Sequence, residues 1–122
     1  MFIFSKKSLA LAVLLSLSLV VALADPPISL RLTPSFGYAP LAVQLSIRVV
    51  PHADNRVVCI DINSSNGYYR RSCFEHIGAK GPGLIVQSYT NLDAGTYDVI
   101  ASVIRVDKSV YSASATFQAL GY

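Results

Sequence analysis

Tryptophan is absent from this 122-residue chain, cysteine and histidine occur only twice each, and charged side chains make up 14% of it. Each scarcity excludes something. His52 and His76 each sit in a predicted loop and read as solvated side chains, because a metal centre needs clustered ligands with supporting neighbours. Two cysteines allow a single pairing, and without C-x-x-C spacing they carry no redox motif. G-x-S-x-G and H-E-x-x-H do not occur. Gly78-Ala79-Lys80-Gly81-Pro82-Gly83 lacks the G-K-[ST] ending of a phosphate loop and precedes a strand rather than a helix. The seven carboxylates are scattered, and none forms an acid/base pair at sequence level. Asp54, Asp61 and Asp93 match no calcium-loop spacing. The sequence therefore predicts a protein that is not an enzyme and that uses no metal or cofactor. A small secreted enzyme would require the fold to bring His76 together with distant carboxylates.

What is abundant is apolar residue, 52% of the chain, but much of it lies at one end. Lys6 and Lys7 precede an apolar and small-residue run from Ser8 to Ala24, and Ala22-Leu23-Ala24 forms an A-x-A site before Asp25. Positive charge, a short hydrocarbon stretch and small residues at −3 and −1 are the parts of an export signal. Residues 1–24 thus read as a signal peptide and 25–122 as one exported domain, secreted, periplasmic or at the cell surface. Membrane attachment is expected only if the segment stays uncleaved. Losing Lys6 and Lys7 from ten basic residues leaves eight against seven acidic ones. That balance excludes a polybasic nucleic-acid binder, since little phosphate attraction remains.

Beyond residue 25 no window carries a helical period; alternation of period 2 recurs between turn residues. The predicted strands are 28–33, 41–49, 58–62, 68–74, 84–90, 96–105 and 109–118. Pro34 to Pro40 and Glu75 to Gly83 read as loops. Ile100 and Ile104 on the second face of the 96–105 strand predict a central strand covered on both sides. Seven short strands with short turns predict an all-β antiparallel sandwich.

Ser64-Ser65-Asn66-Gly67 marks a hairpin, because Asn and Gly tolerate positive φ. Centring the turn on Asn66 sets Cys59 opposite Cys73, Asp61 opposite Arg71 and Val58 opposite Phe74. One register thus predicts a disulfide, an ion pair and an apolar contact together. An oxidising compartment favours the disulfide, and closing its loop contributes roughly 3 kcal/mol.

Asp93-Ala94-Gly95-Thr96-Tyr97-Asp98-Val99 resembles the D-x-G-x-Y-x-C/V pattern that opens strand F of immunoglobulin-like domains. That resemblance makes Tyr97 the corner tyrosine whose hydroxyl bonds back to the preceding loop. Pro34…Gly37-Tyr38-Ala39-Pro40-Leu41-Ala42-Val43-Gln44-Leu45 and Tyr89…Gly95-Thr96-Tyr97-Asp98-Val99 are similar to the two flanking motifs of PKD (polycystic kidney disease) domains. Ile60-Asp61-Ile62-Asn63 stands where that family has W-x-F-G-D-G. The resemblance implies a PKD-type, immunoglobulin-like sandwich. It also implies a role as an extracellular spacer or interaction module.

The expected function is non-catalytic binding of a protein or carbohydrate surface outside the cytoplasm. The alternative is a structural subunit of a surface assembly, joined through an exposed edge strand. Asn66, Tyr68, Tyr69, Arg70 and Arg71 form the candidate contact region, because tyrosine and arginine concentrate binding energy in interfaces. Asn63-Ser64-Ser65 is a glycosylation sequon at the same hairpin.

Overall fold

A computed structural model describes residues 26–121. The signal-peptide reading of residues 1–24 lies outside the described residues. Eight strands form two layers: β1 (Ile28–Thr33), β2 (Phe36–Tyr38), β3 (Leu41–Val49), β4 (Asn55–Ser64), β5 (Tyr69–Glu75), β6 (Leu84–Leu92), β7 (Gly95–Arg105) and β8 (Val110–Leu120). One sheet has the order β1-β3-β6, and the other β2-β8-β7-β4-β5. All neighbours are antiparallel except β2 and β8, which run parallel.

The alternation read from sequence is the packing pattern. Leu41, Val43, Leu45, Ile47 and Val49 of β3 are buried, while the residues between them face outward. They meet Val58, Ile60 and Ile62 of β4 and Val99, Ala101 and Val103 of β7 in one core. Each fully buried aliphatic side chain of this kind contributes about 1.5–3 kcal/mol relative to exposure. Tyr97 and Phe117 are opposed residues of β7 and β8, and their rings stack 4.6 Å apart. Tyr68 meets the Tyr97 ring edge-on at 5.8 Å.

Three features differ from the sequence expectation. The described residues form eight strands rather than seven, because Phe36–Tyr38, expected within a loop, forms β2. Pro34 has no N–H to continue the β1 ladder, and after it the chain crosses to the other sheet, where Phe36 pairs with Gln118. β7 is central within its sheet but not covered on both sides, since Ile100 is 43% exposed. Among the described residues there are two sheets, and nothing packs on the second face of the five-stranded one. His76, expected as a solvated loop residue, is fully buried. Its ring fits because Gly81 has no side chain; a Cβ there would lie 2.5 Å from ring atoms. Nε2 donates to the Pro82 carbonyl at 2.6 Å, while Nδ1 is buried with no hydrogen-bond partner among the described residues.

At the β7–β8 turn, the Ser109 hydroxyl and amide both donate to Asp107. These bonds, the hydroxyl's first, hold the Asp107 carboxyl below its ordinary value. Any stability it adds is present above the usual aspartate range and is lost as pH falls through the lowered pKa.

Candidate binding face

The β4–β5 hairpin has the register that the Asn-Gly turn implies: Val58 faces Phe74, Cys59 faces Cys73 and Asp61 faces Arg71. Cys59 and Cys73 are disulfide-bonded with their Cα atoms 4.1 Å apart. The loop contains three residues, closed by Ser64 N–H donating to the Tyr68 carbonyl at 2.9 Å. Only Gly67 adopts positive φ, at 90°, the geometry of a turn followed by a glycine bulge.

Strand alternation divides the Asn66–Arg71 stretch among three environments. Tyr69 and Arg71 point outward, whereas Tyr68 and Arg70 turn to the core side. The Arg70 guanidinium lies 5.2 Å over the ring of Tyr89, which belongs to the opposite sheet. Asn66 is engaged within the fold. Its amide nitrogen donates to the Tyr97 hydroxyl at 3.0 Å and the Ala94 carbonyl at 3.1 Å, and its oxygen accepts from Tyr68 N–H at 2.9 Å. Tyr97 in turn donates its hydroxyl to the Asp93 carbonyl at 2.7 Å. The turn of one hairpin is thereby tied to the corner that opens β7.

The outward pair belongs to a wider surface. Arg71 Nη1 donates to both Asp61 oxygens, at 3.0 and 2.9 Å. The Tyr69 hydroxyl reaches the same carboxylate at 3.4 Å. Beside them across β4, β7 and β8 lie Asn63, Asp98 and Thr116 in one row, and Ile100 and Ser114 in the next. The Thr116 hydroxyl donates to Asp98 at 2.9 Å. At the far edge stand Phe36 and Tyr38, 58% and 61% exposed, while Tyr69 is 63% exposed at the near edge. The result is a five-strand face with a polar floor and an aromatic at each margin. Aromatic rings offer flat apolar area at little entropic cost, and the carboxylate, hydroxyl and amide groups between them supply hydrogen bonds.

Sequence reasoning placed Tyr69 and Arg71 in the candidate region but missed Phe36 and Tyr38, which it left in a loop. Asn63, the sequon residue, lies within β4 directly opposite Tyr69, so a glycan there would stand on this face. Of the three aspartates considered for calcium, Asp61 is bound to Arg71. Among the described residues no group of three metal-ligating side chains occurs.

Two sheets of this order, a strand that leaves one sheet for the other and a corner tyrosine define an immunoglobulin-like β-sandwich. Comparison with solved structures supports that class. The fn3 domain of human collagen alpha-1(XX) aligns with a TM-score of 0.54 at 14% identity, over 81% of this chain and 84% of that one. Superoxide reductase (neelaredoxin) from Ignicoccus hospitalis gives 0.55 at 10% identity, over 75% and 80%. A CARDB domain from Pyrococcus furiosus gives 0.50 at 10%, over 80% and 94%. At these identities the likeness extends to the fold alone. No protein-family model matches the chain, and no curated protein matches it.

Proposed function

We propose that the protein is an exported, non-catalytic binding domain of the PKD type, engaging a protein or glycan partner through the outer face of its five-stranded sheet. The observation that carries this reading is the Tyr69–Asp61–Arg71 cluster. An aspartate and an arginine already paired in the unbound protein, beside a tyrosine that is mostly exposed, form a pre-oriented patch that orders few side chains on binding. Pre-orientation of that kind lowers the cost of association. The ion pair itself, on the surface, contributes at most about 1 kcal/mol to folding, so its constituents can be replaced without losing the fold. The disulfide supports residence in an oxidising compartment, and no described helix is long and apolar enough to cross a membrane. The PKD assignment rests on the two motifs around Pro34–Leu45 and Tyr89–Val99.

Tyr69→Ala and Arg71→Ala are each expected to weaken partner capture from native extract by roughly tenfold or more, the range of an interface hot spot. Their thermal unfolding should stay close to that of the unaltered protein. Capture undiminished in both variants removes this face as the contact surface.

The outer edge of β6 favours a second reading, a structural subunit of a surface assembly. Among the described residues that nine-residue strand pairs with β3 alone, and Leu84 and Val86 are exposed along it. An open edge is a template for strand addition from another chain. Light scattering should then show mass rising with concentration; a constant monomer mass would eliminate this reading.

A further inference from the structure

The outer face of the other sheet has a different chemistry. β1, β3 and β6 contain no aspartate, glutamate or lysine, and their charge is that of Arg31 and Arg48 alone. Ser29 pairs with Arg48 and Arg31 with Ser46, so the two arginines and two serines alternate at the corners of one outward-facing square. Neither guanidinium has a hydrogen-bond, ion-pair or ring partner among the described residues. A groove of about 320 Å³ is lined by these four residues together with Leu30 and Leu84. It shares Ser29, Arg48 and Leu84 with a groove of about 570 Å³ that extends to Pro26 and Pro51.

Two guanidinium forks in one groove, unpaired among the described residues and with no acid on the three strands of their sheet, attract an oxyanion, which arginine binds in two-point fashion. A ligand lying across these strands meets side chains only, because the main-chain groups point sideways into the ladders. A peptide laid on this face would therefore find no backbone partners for its own amides. A chain of hydroxyls has no amides to leave unpaired, and Thr33, Gln44 and Ser88 continue the same face with neutral hydrogen-bonding groups. We infer that the Arg31–Arg48 groove is a binding site for an acidic polysaccharide, one bearing carboxylate or sulfate groups. It lies on the opposite side of the sandwich from the Tyr69 face and stands or falls separately from it.

The test is titration calorimetry on the purified protein with four probes: alginate for carboxylates, dextran sulfate for sulfate esters, neutral dextran and polyglutamate. Alginate or dextran sulfate should bind, and the stronger of the two identifies the anion. Arg31→Ala and Arg48→Ala should each weaken that binding roughly tenfold, as for loss of a charge-assisted hydrogen bond. The salt dependence should become shallower with each arginine removed. Both side chains are exposed and unbonded among the described residues, so unchanged thermal unfolding of the variants verifies the fold. Equal binding of neutral dextran, full binding by the double variant, or tighter binding of polyglutamate than of either polysaccharide would each overturn the proposal. The last result would instead make the groove an acidic-peptide site.

Discussion

The Cys59→Ala/Cys73→Ala double variant should unfold about 3 kcal/mol more easily than the unaltered protein. The bond joins residues 14 apart, and a closed loop of that size restricts the unfolded chain by about this amount. For a domain near 100 residues the loss corresponds to a fall in Tm of roughly 12–24 °C. It is a large share of the total, since folded domains are stable by only about 5–15 kcal/mol. The bond also fastens β5, the edge strand bearing Tyr69 and Arg71, to β4, which is held on its other side by β7. Reductant should therefore destabilise the unaltered protein by a similar amount and leave the double variant unaffected. Thermal melts followed by circular dichroism, with and without reductant, measure both. A loss well under 1 kcal/mol would mean that the ladder alone holds the hairpin.

Tyr97 is the second position where a large effect is expected. Its ring is buried between Tyr68 and Phe117, and its hydroxyl bridges Asp93 and Asn66. Tyr97→Ala removes both contributions and should cost about 3–5 kcal/mol, as for a buried aromatic. Tyr97→Phe keeps the ring and should cost about 1–3 kcal/mol, because the Asp93 carbonyl and the Asn66 amide each lose a partner. Asn66→Ala should be non-additive with Tyr97→Phe, since the two share one hydrogen bond; a double-mutant cycle in urea measures the coupling. Full additivity would show that the corner and the turn are energetically independent. Asn66 is consequently a poor choice for probing the proposed binding face: its replacement would lower stability whatever its contact with a partner.

The local patterns of this fold were legible where chemistry repeats over short distances. Alternation in Leu41–Val49 defined a buried face, and a single Asn-Gly turn set the β4–β5 register that brings Cys59 to Cys73 and Asp61 to Arg71. The same alternation separates Tyr69 and Arg71 from Tyr68 and Arg70, which treating Tyr68–Arg71 as one patch overlooked. β2 was hidden because three residues between Pro34 and Pro40 make no periodic signal, and their partner strand is some eighty residues away in sequence. Asn66 resembled an exposed turn residue because its partners, Ala94 and Tyr97, are remote in sequence and come together only when the sheet closes. Ile100 resembled a core residue because period 2 cannot tell whether a third layer covers the sheet. The burial of His76 depended on Gly81, whose missing side chain matters only once the loop folds back over the ring. The proposed binding face shares this origin: Phe36, Tyr38 and Tyr69 stand on opposite edges of one sheet and become a single surface only through strand order.

Hydroxyl-radical footprinting of the protein in its native complex tests the central claim, that the outer face of the five-stranded sheet meets the partner. Oxidation of Tyr69 should fall sharply on binding, with Phe36 and Tyr38 protected where the partner spans the sheet. Exposed side chains on the other sheet, such as Leu84, should react as in the unbound protein. If Tyr69 is oxidised equally in the free and bound states while another surface becomes protected, the proposed binding face is contradicted.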